Sequence, residues 1–359
     1  MSEKTPTDIY QALRERLDLF SIGFPATPSG VEITILKRLF SAEDARLFLE
    51  LSPLLEPAET IAGKLGLPAE ETRARLADMA GRGLLFSKAQ EGTTLYGATP
   101  FVHGIFEYQV NRMDRELAKL MNQYGMEAFG INMIQNAGSF LRTIPVRQSL
   151  GTDHQVAAYD DAVEILKSKK TIVVTACICR KKQNLLGKGC GKIVEACFMF
   201  NTMAEYYLAH NLGRRITVDE AVAILEKARE QGLVTQPATA QNPAGMCNCC
   251  GDCCGVLQAI NFHPKPAEIV SSNHYAVLDR DACTGCGTCL DRCQTKALTM
   301  DEDGLAALNS DRCIGCGLCV ITCPSGALCL EAKATEDRYQ LPRDSMEQMV
   351  AMAKKRGIL

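Results

Sequence analysis

The sequence has no apolar run close to the roughly 18 residues that a membrane-spanning helix needs. Its longest strand-like apolar segment, 172–176, is far too short to cross a bilayer. Residues 1–8 are polar and acidic, whereas a secretory signal begins with a basic segment followed by an apolar one. We therefore expect a protein without a membrane span that resides in the cytoplasm.

Signatures of nucleotide binding are also missing, because the chain contains neither a Gly-x-Gly-x-x-Gly nor a Walker sequence. The charge is nearly balanced, with 39 Lys and Arg against 42 Asp and Glu, which does not favour a polyanion-binding surface. Histidine is scarce and scattered, which favours structural roles for each ring. The five are His103, His154, His210, His263 and His274.

Cysteine is absent before Cys177, yet the rest of the chain contains 18 of them. Cytosolic thiols stay reduced, and a chain of 359 residues can bury a core without disulfide staples. We therefore interpret the cysteines as metal ligands. The length predicts two or three domains, and the cysteine-free first third must have another role.

Residues 31–97 show a pattern of short helices followed by a hairpin. Ser41 and Asp44 form a capping box at the start of one helix, and Pro68 begins a later one. Two short apolar segments around a polar turn predict a β-hairpin over 84–96. This order of elements resembles a winged-helix domain, which we assign to residues 1–98.

The charge of this N-terminal domain argues against nucleic acid as a partner. Residues 1–100 contain 11 Lys or Arg and 14 Asp or Glu. The helix in the position of a recognition helix mixes Arg73 and Arg75 with Glu70 and neighbouring acidic residues. DNA binding requires phosphate neutralisation, so we favour protein docking or dimerisation for this domain.

Residues 99–273 predict a largely helical, cysteine-rich domain. One strand, 171–175, leads into the first cysteines, and a helix over 218–231 is marked by a capping box of Thr217 and Glu220. A further helix over 195–210 would place Cys197 at its N-terminus, where the helix dipole favours a thiolate.

Nine cysteines of this domain are candidate metal ligands: Cys177, Cys179, Cys190, Cys197, Cys247, Cys249, Cys250, Cys253 and Cys254. A 4Fe-4S cluster takes four thiolates, so nine exceed the needs of one cluster. Adjacent cysteines should serve different sites, because neighbouring side chains diverge. On a helix, Cys249 would share a face with Cys253, and Cys250 with Cys254.

The chemistry of this domain stays open at the level of sequence. We expect at least one further iron-sulfur site, with a zinc site, a redox-active dithiol and a cluster with an open iron as alternatives. Nearby cations either offset cluster charge, dock an acidic partner or form a solvated loop. They are Arg180, Lys181, Lys182, Lys188 and Lys192. The region is similar to cysteine-rich parts of multi-cluster proteins of anaerobes, which implies anaerobic metabolism.

The last cysteines form an internal repeat with a period of 30 residues. Cys-x2-Cys-x2-Cys-x3-Cys occurs at Cys283, Cys286, Cys289 and Cys293 and again at Cys313, Cys316, Cys319 and Cys323. Residues 274–332 resemble a bacterial-type two-cluster ferredoxin, which implies two 4Fe-4S clusters with crossed ligation. Cys323 would join the first three cysteines, and Cys293 would join Cys313, Cys316 and Cys319.

Two details qualify this resemblance. Zinc is the competing metal, but zinc motifs rarely contain four cysteines in 11 residues. The first repeat continues with Gln294 where the family has proline, which puts the rigidity of the following segment in doubt. Glycines flank the cysteines as turn residues that let backbone amides approach the sulfur atoms: Gly285, Gly287, Gly315 and Gly317.

Together these patterns predict an α+β protein, mainly α with small β elements. A tail over 333–359 would end in a helix over 345–355. The expected function is electron transfer through several clusters, with a redox protein as partner and an oligomer possible. A reductase with a catalytic middle site and a redox-sensing transcription regulator are the alternatives.

Overall fold

A computed structural model describes residues 8–150 and 157–359. The first region of the chain combines five helices with a three-stranded antiparallel sheet in the order β1-β3-β2. Its elements are α1 (Ile9–Asp18), α2 (Val31–Leu39), α3 (Ala42–Glu50), β1 (Glu56–Pro57), α4 (Ala58–Leu65), α5 (Ala69–Gly81), β2 (Phe86–Gln90) and β3 (Thr93–Gly97). The predicted hairpin is therefore present, and the short strand β1 adds to its β3 edge.

Local capping explains where the helices of this region begin and end. Ser41 accepts the N–H of Asp44, and the Asp44 carboxylate accepts the N–H of Ser41, as the capping box predicts. Pro68 precedes the first residue of α5, and Gly66 ends α4 in the left-handed conformation. Each of these capping features involves residues that are close together in the chain, so the sequence alone can indicate it.

The middle region contains nine helices and five strands among its described residues. They are α6 (Phe106–Tyr108), α7 (Arg115–Tyr124), α8 (Gly130–Phe140), α9 (Ala162–Lys167), β4 (Ile172–Ala176), α10 (Ile178–Leu185), β5 (Glu195–Phe200), α11 (Asn201–Ala209), β6 (Arg214–Ile216), α12 (Val218–Glu230), β7 (Val234–Pro237), β8 (Gly245–Cys249), α13 (Gly255–Phe262) and α14 (Pro266–Ile269). The strands form one antiparallel sheet in the order β6-β4-β5-β8-β7. The expectation of a single strand in this largely helical region is therefore wrong, because the region contains a five-stranded sheet.

The sequence pattern did not indicate the additional strands because strands buried on both faces lack alternating polarity. Strand β5 is almost continuously apolar, so it lacks the alternation that marks a half-exposed strand, and α11 follows it directly. The predicted helix over 195–210 is therefore a strand followed by a shorter helix. In contrast, the capping box of Thr217 and Glu220 begins α12 as predicted.

The first and middle regions pack against each other through α11 and β2. Tyr206 stacks on Phe86 with 4.9 Å between ring centroids, and its hydroxyl donates to the carbonyl of Leu85 at 3.1 Å. His210 Nε2 lies 3.0 Å from the Ser87 hydroxyl. One core cluster continues from the helices of the first region into the middle region.

The third region carries the cysteine repeat on two small antiparallel sheets. Its elements are β9 (His274–Leu278), α15 (Thr288–Arg292), β10 (Leu298–Met300), β11 (Ala306–Leu308), β12 (Leu328–Ala332) and α16 (Ser345–Lys355). Strand β9 pairs with β12, and β10 pairs with β11. The terminal helix has the predicted bounds and lies against α8.

The residue that follows α16 contacts the end of α1. The Arg356 guanidinium donates to the backbone carbonyl of Asp18 at 2.7 Å and contacts its carboxylate at 3.3 Å. Within the described part of the chain, none of the helices combines the length and apolar character required to cross a bilayer.

Candidate metal centres

The first repeat loop and the end of the second repeat line one small cavity. Cys283, Cys286, Cys289 and Cys323 contribute to its wall together with Leu278, Ala306 and Leu328. Cys286 is exposed, whereas Cys289 is buried. This set of four cysteines is the one that crossed ligation predicts, and its cavity opens near the surface.

The second set lies deeper. Cys313, Cys316 and Cys319 all lie within electrostatic range of Cys293, the last cysteine of the first repeat. Burial is the main cause that raises the pKa of Cys316, to about 12 in the absence of a metal. Cys316 also joins this set to the middle region, because its carbonyl accepts the N–H of Val146 at 3.0 Å.

Backbone N–H groups around the second set, and glycines in both repeat loops, favour sulfur ligands. The N–H groups of Ala276 and Ala297 donate to Cys313 Sγ at 3.3 Å and Cys293 Sγ at 3.1 Å, bonds that raise the potential of a cluster. The four predicted turn glycines all have positive φ. At Gly315 the packing is tight as well, since a Cβ there would lie 2.0 Å from the carbonyl oxygen of His274.

Six of the nine middle-region cysteines form a closed ring of neighbouring thiols, which we call the six-cysteine group. Each thiol interacts with two others of the group, so that the ring closes on itself. In order around the ring they are Cys177, Cys179, Cys254, Cys249, Cys247 and Cys197. All six side chains are buried or partly buried.

The central sheet and two helix N-termini place these six thiols. Cys197 on β5 lies opposite Cys247 on β8, and Cys249 follows two residues later on the same face of β8. Cys177 and Cys254 are the N-cap residues of α10 and α13. The positive ends of two helices therefore meet at this group, which favours thiolates and a negatively charged cluster.

The other three form the three-cysteine group: Cys190, Cys250 and Cys253. Their Sγ atoms all lie within 4.8 Å of one another, and Cys190 Sγ is 3.7 Å from Cys250 Sγ. Adjacent cysteines thus fall into different groups, as expected from their diverging side chains. The pairing by helix faces is wrong, however, because Cys249 ends a strand and the next residues form a turn.

Two buried cations from α10, Arg180 and Lys182, lie beside these groups. Arg180 is 1 % exposed, and two of its three guanidinium nitrogens, Nε and Nη2, have no hydrogen-bond partner among the described residues. Burial alone would lower the pKa of Arg180, but the thiolates of Cys177, Cys197 and other nearby cysteines raise it overall. A buried cation without a carboxylate is costly unless anions surround it, which fits thiolates that hold metal.

Without metal, the six-cysteine group would contain a mixture of thiols and thiolates. Hydrogen bonds from Cys197 and Cys249 lower the pKa of Cys247, whereas thiol contacts and burial raise the pKa of Cys249. A bound metal replaces the protons and makes every ligand a thiolate. Six thiolates beside Arg180 are a donor set that fits an iron-sulfur centre.

Gln294, the residue that departs from the family pattern, links the third region to the cysteine-rich turn. Its side-chain oxygen accepts the N–H of Gly251 at 2.7 Å, between Cys250 and Cys253. Its backbone carbonyl accepts from the Asn261 side chain at 2.9 Å. A proline could not form the side-chain bond, so the substitution has a structural role that the sequence pattern did not indicate.

A cleft of about 750 Å³ separates Cys179 of the six-cysteine group from Cys293 of the repeat. We call it the basic cleft, because five cations and two carboxylates line it: Lys182, Lys188, Lys192, Lys296 and Arg312, with Asp252 and Asp291. Lys182 is 8 % exposed, and burial lowers its pKa. Buried Gln183 Oε1 and Asn261 Oδ1 on the same wall have no hydrogen-bond partner among the described residues.

The remaining candidates stay outside these groups. Lys181 donates to the carbonyl of Val110, and Lys188 is exposed, so the basic loop is part buried and part solvated. His103 packs against Phe140 with the two rings tilted, His263 contacts the backbone of Lys265, and His154 lies outside the described residues. Cys329 is exposed on β12, outside all of these groups.

Comparison with known proteins identifies part of the chain. Residues 282–327 match the family model of a 4Fe-4S dicluster domain. The C-terminal repeat is therefore similar to iron-sulfur domains of this type, which indicates that it binds 4Fe-4S clusters. The chain as a whole matches no curated protein and no solved structure.

Proposed function

We propose that this protein transfers electrons between a redox protein partner and an iron-sulfur centre in its middle region. The observation that carries the proposal is the six-cysteine group, a buried ring of thiols beside Arg180, two of whose guanidinium nitrogens find no hydrogen-bond partner in the described part of the chain. When bound, iron-sulfur clusters accept and release single electrons. Two ferredoxin-type clusters and a middle centre would form a chain of at least three centres.

The order of the centres follows from exposure. The set containing Cys286 lies near the surface and would face the partner, whereas the set containing Cys316 is joined to the middle region. Cys289 of the first set lies within electrostatic range of Cys319 of the second. Gln294 then connects the second set to the cysteine-rich turn. Electrons would therefore enter near Cys286, pass to the second set and continue to the middle region.

The first region fits protein docking or dimerisation, in a winged-helix arrangement, better than DNA binding. Arg73 is bound to Glu59 and Glu70, and Arg75 contacts Glu43 at 2.5 Å. These arginines are already neutralised, so α5 offers little charge for phosphate. We further propose that the protein resides in the cytoplasm, where thiols stay reduced, and we keep anaerobic metabolism as the proposed setting of its iron-sulfur chemistry.

The test is iron and sulfide quantitation on protein purified without oxygen. We compare the unchanged protein with a Cys177→Ser, Cys249→Ser variant, and use Cys329→Ser as a control outside all groups. We expect clearly more than about eight irons in the unchanged protein and control, falling to about eight in the double variant. A value of about eight in all three would confine the clusters to the C-terminal repeat and contradict the proposal.

The basic cleft supports a second candidate function, a reductase that binds a small anionic substrate next to Cys179. The cleft has the size of typical ligand sites, and buried Lys182 would donate a charge-assisted hydrogen bond. We expect carboxylate- or phosphate-bearing compounds to raise the thermal stability of the anaerobic protein.

Lys182→Met should weaken such binding at least about tenfold, because a hydrogen bond to a charged group contributes about 1.5–3 kcal/mol. Lys227→Met, on the exposed side of α12, is the matched control. Equal ligand shifts in both variants would place the ligand outside the cleft.

A further inference from the structure

The three-cysteine group differs from the other cysteine sets in how closely its sulfur atoms lie. Every pair of its Sγ atoms is within 4.8 Å. Among residues 8–150 and 157–359, no other three thiol, imidazole or carboxylate groups meet this spacing. The eight cysteines of the 4Fe-4S repeat are part of that comparison. We therefore expect the three-cysteine group to bind something other than the 4Fe-4S clusters of the repeat.

The observed spacing is that of ligands that share one metal ion. Zn–S bonds are about 2.3 Å long, so two thiolates on a tetrahedral ion lie about 3.8 Å apart. Cys190 Sγ and Cys250 Sγ are 3.7 Å apart. In a 4Fe-4S cluster each thiolate binds a different iron, which holds the sulfur atoms further from one another.

A disulfide does not account for the group. A disulfide bond is about 2.05 Å long and would leave the third cysteine unused, whereas all three cysteines are free here. The Cys-x2-Cys spacing of Cys250 and Cys253 is common in zinc sites. Cys190 comes from a separate loop, which is held by a 2.6 Å hydrogen bond from the N–H of Ile193 to Gln231 Oε1.

The surroundings suit a charged metal complex in a buried site. Cys250 and Cys253 have no exposed surface, and they pack in one cluster with Ala228 and Leu233. Three thiolates and a divalent ion leave one negative charge. Arg180 lies within electrostatic range of Cys250 and can compensate that charge.

We propose that Cys190, Cys250 and Cys253 bind one tetrahedral divalent ion, with zinc as the expected metal, separate from the iron-sulfur centres. Cys254 does not supply the fourth ligand, because it belongs to the six-cysteine group with Cys179 and Cys249. The fourth position is therefore open to water or another small ligand, the arrangement of three protein ligands found in catalytic zinc sites.

The test measures zinc and iron separately in the full-length protein purified without oxygen. We compare the unchanged protein with Cys190→Ser, whose loop is the most accessible part of the group, and with Cys329→Ser as a cysteine control. We expect one zinc per chain in the unchanged protein and in the control. Cys190→Ser should lower zinc occupancy at least tenfold and leave the iron content unchanged.

Other outcomes would overturn the proposal. A loss of iron in Cys190→Ser without loss of zinc would assign the three cysteines to an iron-sulfur cluster. Absence of zinc from the unchanged protein, after purification in zinc-containing medium, would also contradict the proposed zinc site. Because zinc and iron are counted separately, failure here is distinguishable from failure of the middle iron-sulfur centre.

Zinc-edge X-ray absorption of the unchanged protein provides a test that needs no variant. We expect three sulfur atoms at about 2.3 Å and one lighter atom in the coordination shell. A shell of four sulfur atoms or of none would contradict the assignment. Replacement of zinc by cobalt should give the intense visible bands of a tetrahedral thiolate site.

Discussion

At the residue scale, the ligand sets of the two ferredoxin-type centres are open to a direct test. Crossed ligation places Cys283 and Cys323 on the same cluster, and both cysteines line one cavity. Cys293 would belong to the other cluster, with Cys313. Pairs of substitutions should therefore separate crossed from uncrossed ligation.

We expect Cys283→Ala combined with Cys323→Ala to remove one cluster, a loss of about four irons. The matched pair, Cys283→Ala with Cys293→Ala, should remove both clusters, a loss of about eight irons. Iron counts and electron paramagnetic resonance of the reduced proteins measure this. Uncrossed ligation would give the reverse result for the two pairs.

Gln294 leads to a second prediction at this scale. Gln294→Ala removes the acceptor for the N–H of Gly251, a bond of 2.7 Å, and should loosen the contact between the repeat and the cysteine-rich turn. We expect electron transfer to the middle centre to slow severalfold after flash reduction, with a loss of about 1 kcal/mol in stability. Gln294→Glu keeps an acceptor oxygen and is the control. Equal rates in both variants would show that this bond does not set the electron path.

At the scale of single elements, the loops that hold the cysteines depend on glycine for different reasons. Gly287 has a φ of +74°, and apart from its chain neighbours no described residue has an atom within 4 Å of the place that a Cβ would occupy there. A Cβ on Gly315, in contrast, would meet the carbonyl of His274. The first position requires only a left-handed backbone. The second requires that conformation and the absence of a side chain.

Alanine at these two positions should therefore have unequal effects. Gly287→Ala should cost about 1–2 kcal/mol, the strain of a left-handed backbone. Gly315→Ala should cost clearly more and reduce iron content, because β9 must move away. Thermal unfolding and iron quantitation of the two variants, prepared side by side, test the difference. Equal losses would mean that β9 adjusts without cost.

The sequence predicts an element well when the residues that determine it are close together in the chain. The capping boxes at Ser41 and Thr217 involve residues three positions apart, so the starts of α3 and α12 follow from sequence. Strand β5 pairs with β8 about fifty positions later, and nothing near Cys197 indicates that partner. The sequence identified the nine middle cysteines as candidate ligands, but their division into six and three depends on this sheet.

At the scale of the whole molecule, His210 reports on the packing of the first region against the middle region. Its Nε2 lies 3.0 Å from the Ser87 hydroxyl, and burial lowers its pKa below the ordinary value of about 6.5. The unfolded chain therefore binds a proton more readily than the folded one. Stability should fall as the pH drops below about 6.5 and should be unaffected by this residue above it.

We expect His210→Gln to flatten this pH dependence between about pH 7 and pH 5. Thermal unfolding of both proteins over that range measures the difference, and the other histidines contribute equally to both curves. Parallel curves would show that the folded protein accommodates the protonated ring at this interface. Loss of stability at every pH would instead report the lost contact with Ser87.

The closed ring of the six-cysteine group has a consequence for how the protein matures in the cell. Cys177 leaves the ribosome well before Cys254, and the strands that bring Cys197 and Cys247 together pair only after β8 has been made. During synthesis the early thiols are therefore unshielded ligands without their partners. Delivery of metal to this centre must wait until translation has passed α13, so its assembly is a late step that follows folding of the sheet.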